Sequence, residues 1–208
     1  MITTTQVKEA AARWSLSETA VPVADRLAAY GNLLLHWNAR LSLTSIRDEP
    51  GILERHLMEG VFAAAHHPDA STALDFGSGP GIPGIPIALC CGSVHVTLAE
   101  SQRKKAAFLQ EALRTLQLNA SVHASRAELL PAASFDAVWM RAVDKSAMMV
   151  SAAAKLVTPA GALCLFGTSA QPDDAAMKDW QWKSLPLPGS NARVLHIGRR
   201  IQRSTWNT

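Results

Sequence analysis

The sequence predicts an α/β protein in two parts: a helical cap over residues 1–70, then a mainly parallel sheet covered by helices on both faces over residues 71–208. Three observations predict it. Before residue 71 the apolar residues recur at helical spacing. After it, short apolar runs alternate with stretches of helical periodicity. The first of those runs leads straight into a glycine-rich loop that opens a helix.

Met1–Trp14 alternates polar residues with short alanine runs, which is neither the apolar stretch of a secretion signal nor a membrane span, so a cytoplasmic chain is expected. From Asp25 to Leu41 the residues Leu27, Tyr30, Leu34, Trp37 and Leu41 mark one face of an amphipathic helix. A second helix runs near Ile52–His66, with Leu53, Leu57, Val61 and Ala64 on one side and Pro68 beyond its end. Two or three helices thus precede any strand. Buried strands are predicted at Ala73–Phe76, Val94–Ala99, Ser121–Ala124, Phe135–Met140 and Ala162–Phe166. Helices are predicted between them at Pro83–Cys91, Arg103–Leu118 and Asp144–Val157. Lys183–Leu187 and Arg193–Ile197, separated by Pro188-Gly189-Ser190-Asn191, read as an antiparallel pair closing the sheet edge.

A chain of 208 residues with 48% hydrophobic and 18% charged residues can close one core without staples, and its composition excludes a disordered protein. The net charge of +3 tolerates a polyanionic partner without selecting one. Arg103-Lys104-Lys105 and the late arginines Arg193, Arg199, Arg200 and Arg203 are the basic clusters, readable as solvated element ends or as RNA contacts. Cys90 and Cys91 are neighbours that do not easily bridge, and with Cys164 they read as free thiols of a reducing compartment. The histidines show no metal-ligand spacing, so no metal is expected; His66-His67 reads as a loop.

The strongest local signal is Leu74-Asp75-Phe76-Gly77-Ser78-Gly79-Pro80-Gly81-Ile82-Pro83-Gly84. It follows a strand and precedes a helix, where glycines let backbone N–H groups approach a nucleotide-type cofactor; a ligand-free turn is the plainer alternative. Gly79-x-Gly81-x-x-Gly84 also fits dinucleotide spacing, but Pro83 then sits inside the turn that must admit a pyrophosphate. The frame Asp75-x-Gly77-x-Gly79-x-Gly81 puts a carboxylate at the strand end, which repels a pyrophosphate and attracts a cationic sulfonium. Asp75, Gly77, Ser78, Gly79 and Gly81 are therefore candidate cofactor contacts. Glu100, ending the second strand, is a candidate for ribose hydroxyls; an acid capping the following helix is its alternative. Ser125-Arg126-Ala127-Glu128 follows the third strand where an adenine would lie, or Ser125 caps a helix.

Four blocks read together: His36-Trp37-Asn38 with Leu43-Thr44-Ser45-Ile46-Arg47-Asp48, Arg55-His56-Leu57, the glycine loop ending Gly81-Ile82-Pro83-Gly84-Ile85-Pro86, and Ser125-Arg126-Ala127-Glu128. On them the chain resembles the glucose-inhibited division protein B family, also called ribosomal small-subunit methyltransferase G. The resemblance covers residues 25–142 well and the rest loosely. It implies a Rossmann-like class I fold that uses S-adenosylmethionine, with a seven-stranded, mostly parallel sheet whose last strand pair is antiparallel. It further implies a monomer that methylates N7 of a guanine in small-subunit (16S) ribosomal RNA or the 30S particle. The matching motifs make Gly77, Ile82, Ala127, Glu128 and Arg141 cofactor contacts, with Arg126 in the same block and Glu100 where the family usually has Asp. Ser42 stands where Asn is usual, and Met140 where Ser is. The fifth strand, which in the family ends in Lys-Gly, here reads Phe166-Gly167 with no lysine before Lys178.

Arg141, at the carboxyl end of a central strand, is also the leading catalytic candidate, because its guanidinium can stack on a base or fork to N7 and O6. A rim ion pair with Glu128 or Asp144 is the alternative. Asn38, Arg47, Arg55 and His56 would line the helical cap over the same cleft and hold RNA; a satisfied core histidine is the alternative for His56. Methylation at N7 removes no proton, so no general base is required, and no triad or paired-carboxylate pattern occurs. Another RNA or a small molecule as acceptor, and an inactive RNA-binding relative, are the competing functions.

Overall fold

The computed structural model describes residues 1–141, 147–168 and 178–201. The chain opens with a helix that the sequence pattern did not disclose, α1 (Thr4–Arg13), started by a Thr3–Gln6 capping box and burying Val7, Ala10 and Ala11. Its apolar face is mostly alanine, too weak a contrast to register as periodicity. A single turn, α2 (Ser17–Ala20), leads into α3 (Ala24–Leu41), which buries Leu27, Tyr30, Leu34 and Asn38. It ends on Ser42 in the left-handed conformation at φ 49°, a position Asn takes more readily than Ser.

The second predicted helix is interrupted. It runs as α4 (Glu49–Ile52), a π-helical turn Leu53–Met58, and α5 (Glu59–Ala65). The stripe Leu53, Leu57, Val61 and Ala64 is buried as the spacing predicts. Such a stripe does not reveal a turn widened by one residue, a feature that often marks functional positions.

The sheet follows. Its strands are β1 (Thr72–Phe76), β2 (His95–Ala99), β3 (Ala120–His123), β4 (Phe135–Arg141), β5 (Val157–Thr168), β6 (Trp180–Pro186) and β7 (Arg193–Arg200), in the order β3-β2-β1-β4-β5-β7-β6. The first five run parallel, and β7 lies antiparallel between β5 and β6. The helices between strands are α6 (Gly84–Cys90), α7 (Arg103–Thr115) and α8 (Ala147–Leu156). The predicted start of the last at Asp144 falls outside the described residues, as does Arg203. β5 is longer than predicted: Val157 and the stretch from Gly161 to Phe166 are buried, whereas Thr158, Pro159 and Ala160 are less buried and carry no apolar signal.

Strand alternation assigns each face. Ala137 and Trp139 of β4 join Ala162, Cys164 and Phe166 of β5 and Leu195 of β7 in one cluster that also holds the buried residues of α1, α3 and α5. Val138 and Met140 pack on the opposite face with α8. By the same period of two, Arg141 and Arg193 fall on the cap-facing side. Strand order reverses between β1 and β4, so their carboxyl ends flank the crevice where ligands bind in doubly wound sheets.

Candidate active site

The glycine loop begins at that crevice. Gly77, Gly79 and Gly81 have φ of 72°, 54° and 93°, left-handed values that favour residues without Cβ. A Cβ on Gly79 would meet nothing closer than the Gly77 carbonyl at 4.0 Å, so this part of the loop presents open backbone. Gly84 is constrained differently: a Cβ there would lie 2.3 Å from Leu98 Cδ2 and 2.7 Å from Asp75 Oδ2.

Asp75 is 1% exposed, and its Oδ2 accepts from the Gly84 N–H at 3.0 Å. It holds the loop from beneath and lines neither site cavity. Ser78 is likewise buried and turned inward, its hydroxyl donating to the Asp75 carbonyl at 2.9 Å. From the cap, the Tyr30 hydroxyl donates to the Pro80 carbonyl at 2.6 Å and ties α3 to the loop.

Two cavities meet at Gly77. One, of about 210 Å³, lies between the ends of β1, β2 and β3 and is lined by Ala99, Glu100, Arg126, Ala127, Glu128 and Met149. The Glu100 carboxylate is 7% exposed; Oε2 accepts from the Gly79 N–H at 3.0 Å and Oε1 from the Gln102 N–H at 2.7 Å. Each oxygen keeps capacity for another donor. An acid beside an apolar slot and open glycine backbone suits a ribose, an adenine and a cationic sulfonium, so these residues fit S-adenosylmethionine.

The second cavity, of about 380 Å³, lies between the loop and the cap and is lined by Thr44, Arg55, His56, Gly77, Ile82 and Arg141 among others. Arg141 donates from Nη1 to His56 Nδ1 at 2.8 Å, and from Nη2 to the Arg55 carbonyl at 2.6 Å and Glu59 Oε2 at 2.7 Å. Among the described residues its acid partner is Glu59 of the cap rather than Glu128, and Asp144 lies outside the described residues. Burial, with Arg55 nearby, pushes the guanidinium down to about 10, leaving it charged at neutral pH. His56 is pushed down to about 3, first by burial and then by the Arg141 charge, and is therefore neutral. Its Nε2 lies 2.9 Å from Thr44 Oγ1.

The other cap candidates separate. Asn38 is buried and structural: Nδ2 donates to the Ile46 carbonyl at 2.8 Å and Oδ1 accepts from the Thr44 N–H at 2.9 Å, folding the loop after α3 over the cavity. Arg47 is exposed and does not line the cavity. Arg55 does line it and is paired loosely with Glu59 at 3.6 Å.

Glu59 escaped the sequence reading, and Arg193 was read there only as one of the late basic residues. Glu59 is 2% exposed and forms ion pairs with Arg55, Arg141 and Arg193. Arg193 of β7 sits in register opposite Thr168, one residue past Gly167, and so puts a basic residue beside the end of β5. The antiparallel register could not be read from spacing. A wider concavity of about 450 Å³, near Asp69, Ser93 and Asp136, lies at the opposite ends of the strands, and Asp136 there is engaged by Ser71 and Thr72. Among the described residues no His, Cys, Asp and Glu group is placed to hold a metal, and no helix is long and apolar enough to cross a membrane.

Residues 24–201 match a family profile described as GidB, rRNA small subunit methyltransferase G. The chain is 43% identical over 143 residues to the ribosomal RNA small subunit methyltransferase G of Stenotrophomonas maltophilia (strain K279a), covering 68% of this chain and 67% of that one. It is 41% identical over 147 residues to the protein of the same name from Neisseria meningitidis serogroup A, covering 70% of each. Among solved structures, a SAM-dependent methyltransferase from Aquifex aeolicus superposes with TM-score 0.56 at 15% identity, covering 72% of this chain and 92% of that one. A 16S rRNA N2 G1207 methyltransferase from T. thermophilus, solved with AdoMet and guanosine, gives TM-score 0.51 at 16% identity over 66% of this chain and 37% of that one. At such identities the structural likeness shows the fold alone.

Proposed function

The chain belongs to the rRNA small subunit methyltransferase G family, and from that premise we propose that it transfers a methyl group from S-adenosylmethionine to N7 of a guanine in small-subunit ribosomal RNA. The observation that carries the reading is the pair of cavities meeting at Gly77, one fitted to the cofactor and the other, under the cap, rimmed by arginine. The cofactor supplies an electrophilic methyl group on a sulfonium.

The chain's own residues position and desolvate. In the smaller cavity Glu100 accepts from ribose hydroxyls, and Ala127 and Met149 give an apolar slot for the adenine. Arg55 and Arg141 line the larger one and, with Arg193 beside it, share the single buried carboxylate of Glu59, so this side of the crevice carries an excess of positive charge that favours a polyanion. Arg141 is held by three cap acceptors, which makes it a positioning residue that braces the cap over the crevice.

Guanine N7 carries its lone pair in the ring plane and loses no proton on methylation. The site agrees with this, since His56, the histidine lining the acceptor cavity, is neutral and has both ring nitrogens engaged. Alignment and exclusion of water are then the main catalytic effects. Incubation of the protein with isotopically labelled cofactor and 30S particles, followed by mass spectrometry of the rRNA, tests the reading. A labelled 7-methylguanine is the expected product; label on another base, or none, contradicts it.

A further inference from the structure

We infer that Thr44 is a specificity-determining hydrogen-bond donor that reads the oxygen at position 6 of the acceptor base, and that Arg141 and His56 are positioning residues that force it to donate. The inference rests on the guanine acceptor proposed above and deepens it.

The direction of the chain follows from which groups can donate. A guanidinium has only donors, so at 2.8 Å from Arg141 Nη1 the His56 Nδ1 must accept. The Arg55 carbonyl lies 3.1 Å from the same nitrogen and accepts from Arg141 Nη2 at 2.6 Å, but a proton on Nδ1 would set two donors, Nδ1–H and Nη1–H, against each other at 2.8 Å. The imidazole proton therefore sits on Nε2 and is donated to Thr44 Oγ1 at 2.9 Å. The Ile46 N–H donates to that same oxygen at 3.2 Å.

A hydroxyl offers two acceptor positions and one O–H. Both acceptor positions of Thr44 are occupied, so what remains is an O–H that can only donate, on a residue lining the acceptor cavity. Asn38 holds the Thr44 backbone N–H at 2.9 Å, which keeps the hydroxyl in place. Burial keeps His56 neutral through the physiological range, so the polarity does not reverse there. Guanine presents O6 as an acceptor beside N7, whereas adenine presents an amino donor at the same place. A hydroxyl able only to donate pairs with the first and opposes the second.

The test is a cycle on 30S particles reconstituted with guanine or 2-aminopurine, which lacks O6, at the methylated position. Intrinsic base reactivity cancels when the guanine-to-2-aminopurine ratio of kcat/KM is compared between variants. Thr44→Val should lower that ratio by about tenfold to a hundredfold, the scale of one base-edge hydrogen bond, and Thr44→Ser should restore it. Thr44→Cys, whose thiol is a weak donor, reads the same ratio if valine is not accommodated. An unchanged ratio in both Thr44→Val and Thr44→Cys overturns the inference alone. Transfer by the unsubstituted chain to a base other than guanine, located by mass spectrometry, overturns the proposed function and this inference with it.

Discussion

The two halves of the site are built in different ways. The cofactor half is made from short segments at the carboxyl ends of neighbouring strands: a glycine loop after β1, an acid after β2 and a short segment after β3, with Met149 of α8 beside them. The acceptor half is made across the boundary between cap and sheet, from side chains separated by 82 to 86 positions in the chain. A site built at strand ends depends on local conformation. A side-chain site between layers depends on how those layers dock, and here the buried Glu59 carboxylate is the acid at the centre of the polar contacts between them.

Substitution of Glu59 should break the acceptor half most severely. Glu59→Gln leaves three guanidinium groups without their carboxylate and should cost about 3 kcal/mol of stability in denaturant titration, the scale of a broken buried ion pair. Methyl transfer should fall about a hundredfold, since an ångström-scale misplacement has that effect. Cofactor affinity by calorimetry should change little. Retention of transfer would mean that the cap docks without this carboxylate.

The converse experiment is Glu100→Gln. A charged acceptor is worth roughly 1.5–3 kcal/mol, so cofactor affinity should drop about tenfold to a hundredfold. Melting should fall as well, by about 1–3 kcal/mol of stability, because one amide oxygen can accept from Gly79 or from Gln102 but not from both. An unchanged affinity would remove Glu100 from the cofactor half.

The smallest expected effect is at the rim. The Arg55 side chain is 50% exposed and only loosely paired, so Arg55→Gln should leave stability unaltered. Its effect should appear in RNA binding, as a reduction of about one in the slope of log affinity against log salt. An unaltered slope would show that Arg55 contacts no phosphate.

The same division explains what could be read from the sequence. The glycine frame and Glu100 could be placed because each follows a largely buried strand, and the Ser125–Glu128 segment because it follows the short, half-buried edge strand β3. Arg141 was legible as a position but not in its bonding, since two of its partners lie in a π-helical turn concealed within a regular stripe and the third, Glu59, directly follows it. Glu59 was invisible, reading as an ordinary acid on a helix, and Asn38 was taken for a ligand contact although its amide closes a loop. Arg193 needed the register of an antiparallel strand. Alternation along β4 and β7 nevertheless puts Arg141 and Arg193 on the face that carries the cap, a deduction open to sequence once the docking side is known.

The central claim is transfer to a nucleophile that needs no deprotonation, and the pH dependence of the single-turnover rate on 30S particles tests it most directly. His56 is already neutral, with its pKa lowered to about 3, so it has no proton to lose in the assay range. The rate should be nearly flat between roughly pH 6 and 9, because a catalytic base would impose a titration limb at its own pKa. A rate that rises about tenfold per pH unit below neutrality would contradict the account, since the acceptor would then have to shed a proton before the methyl group moves.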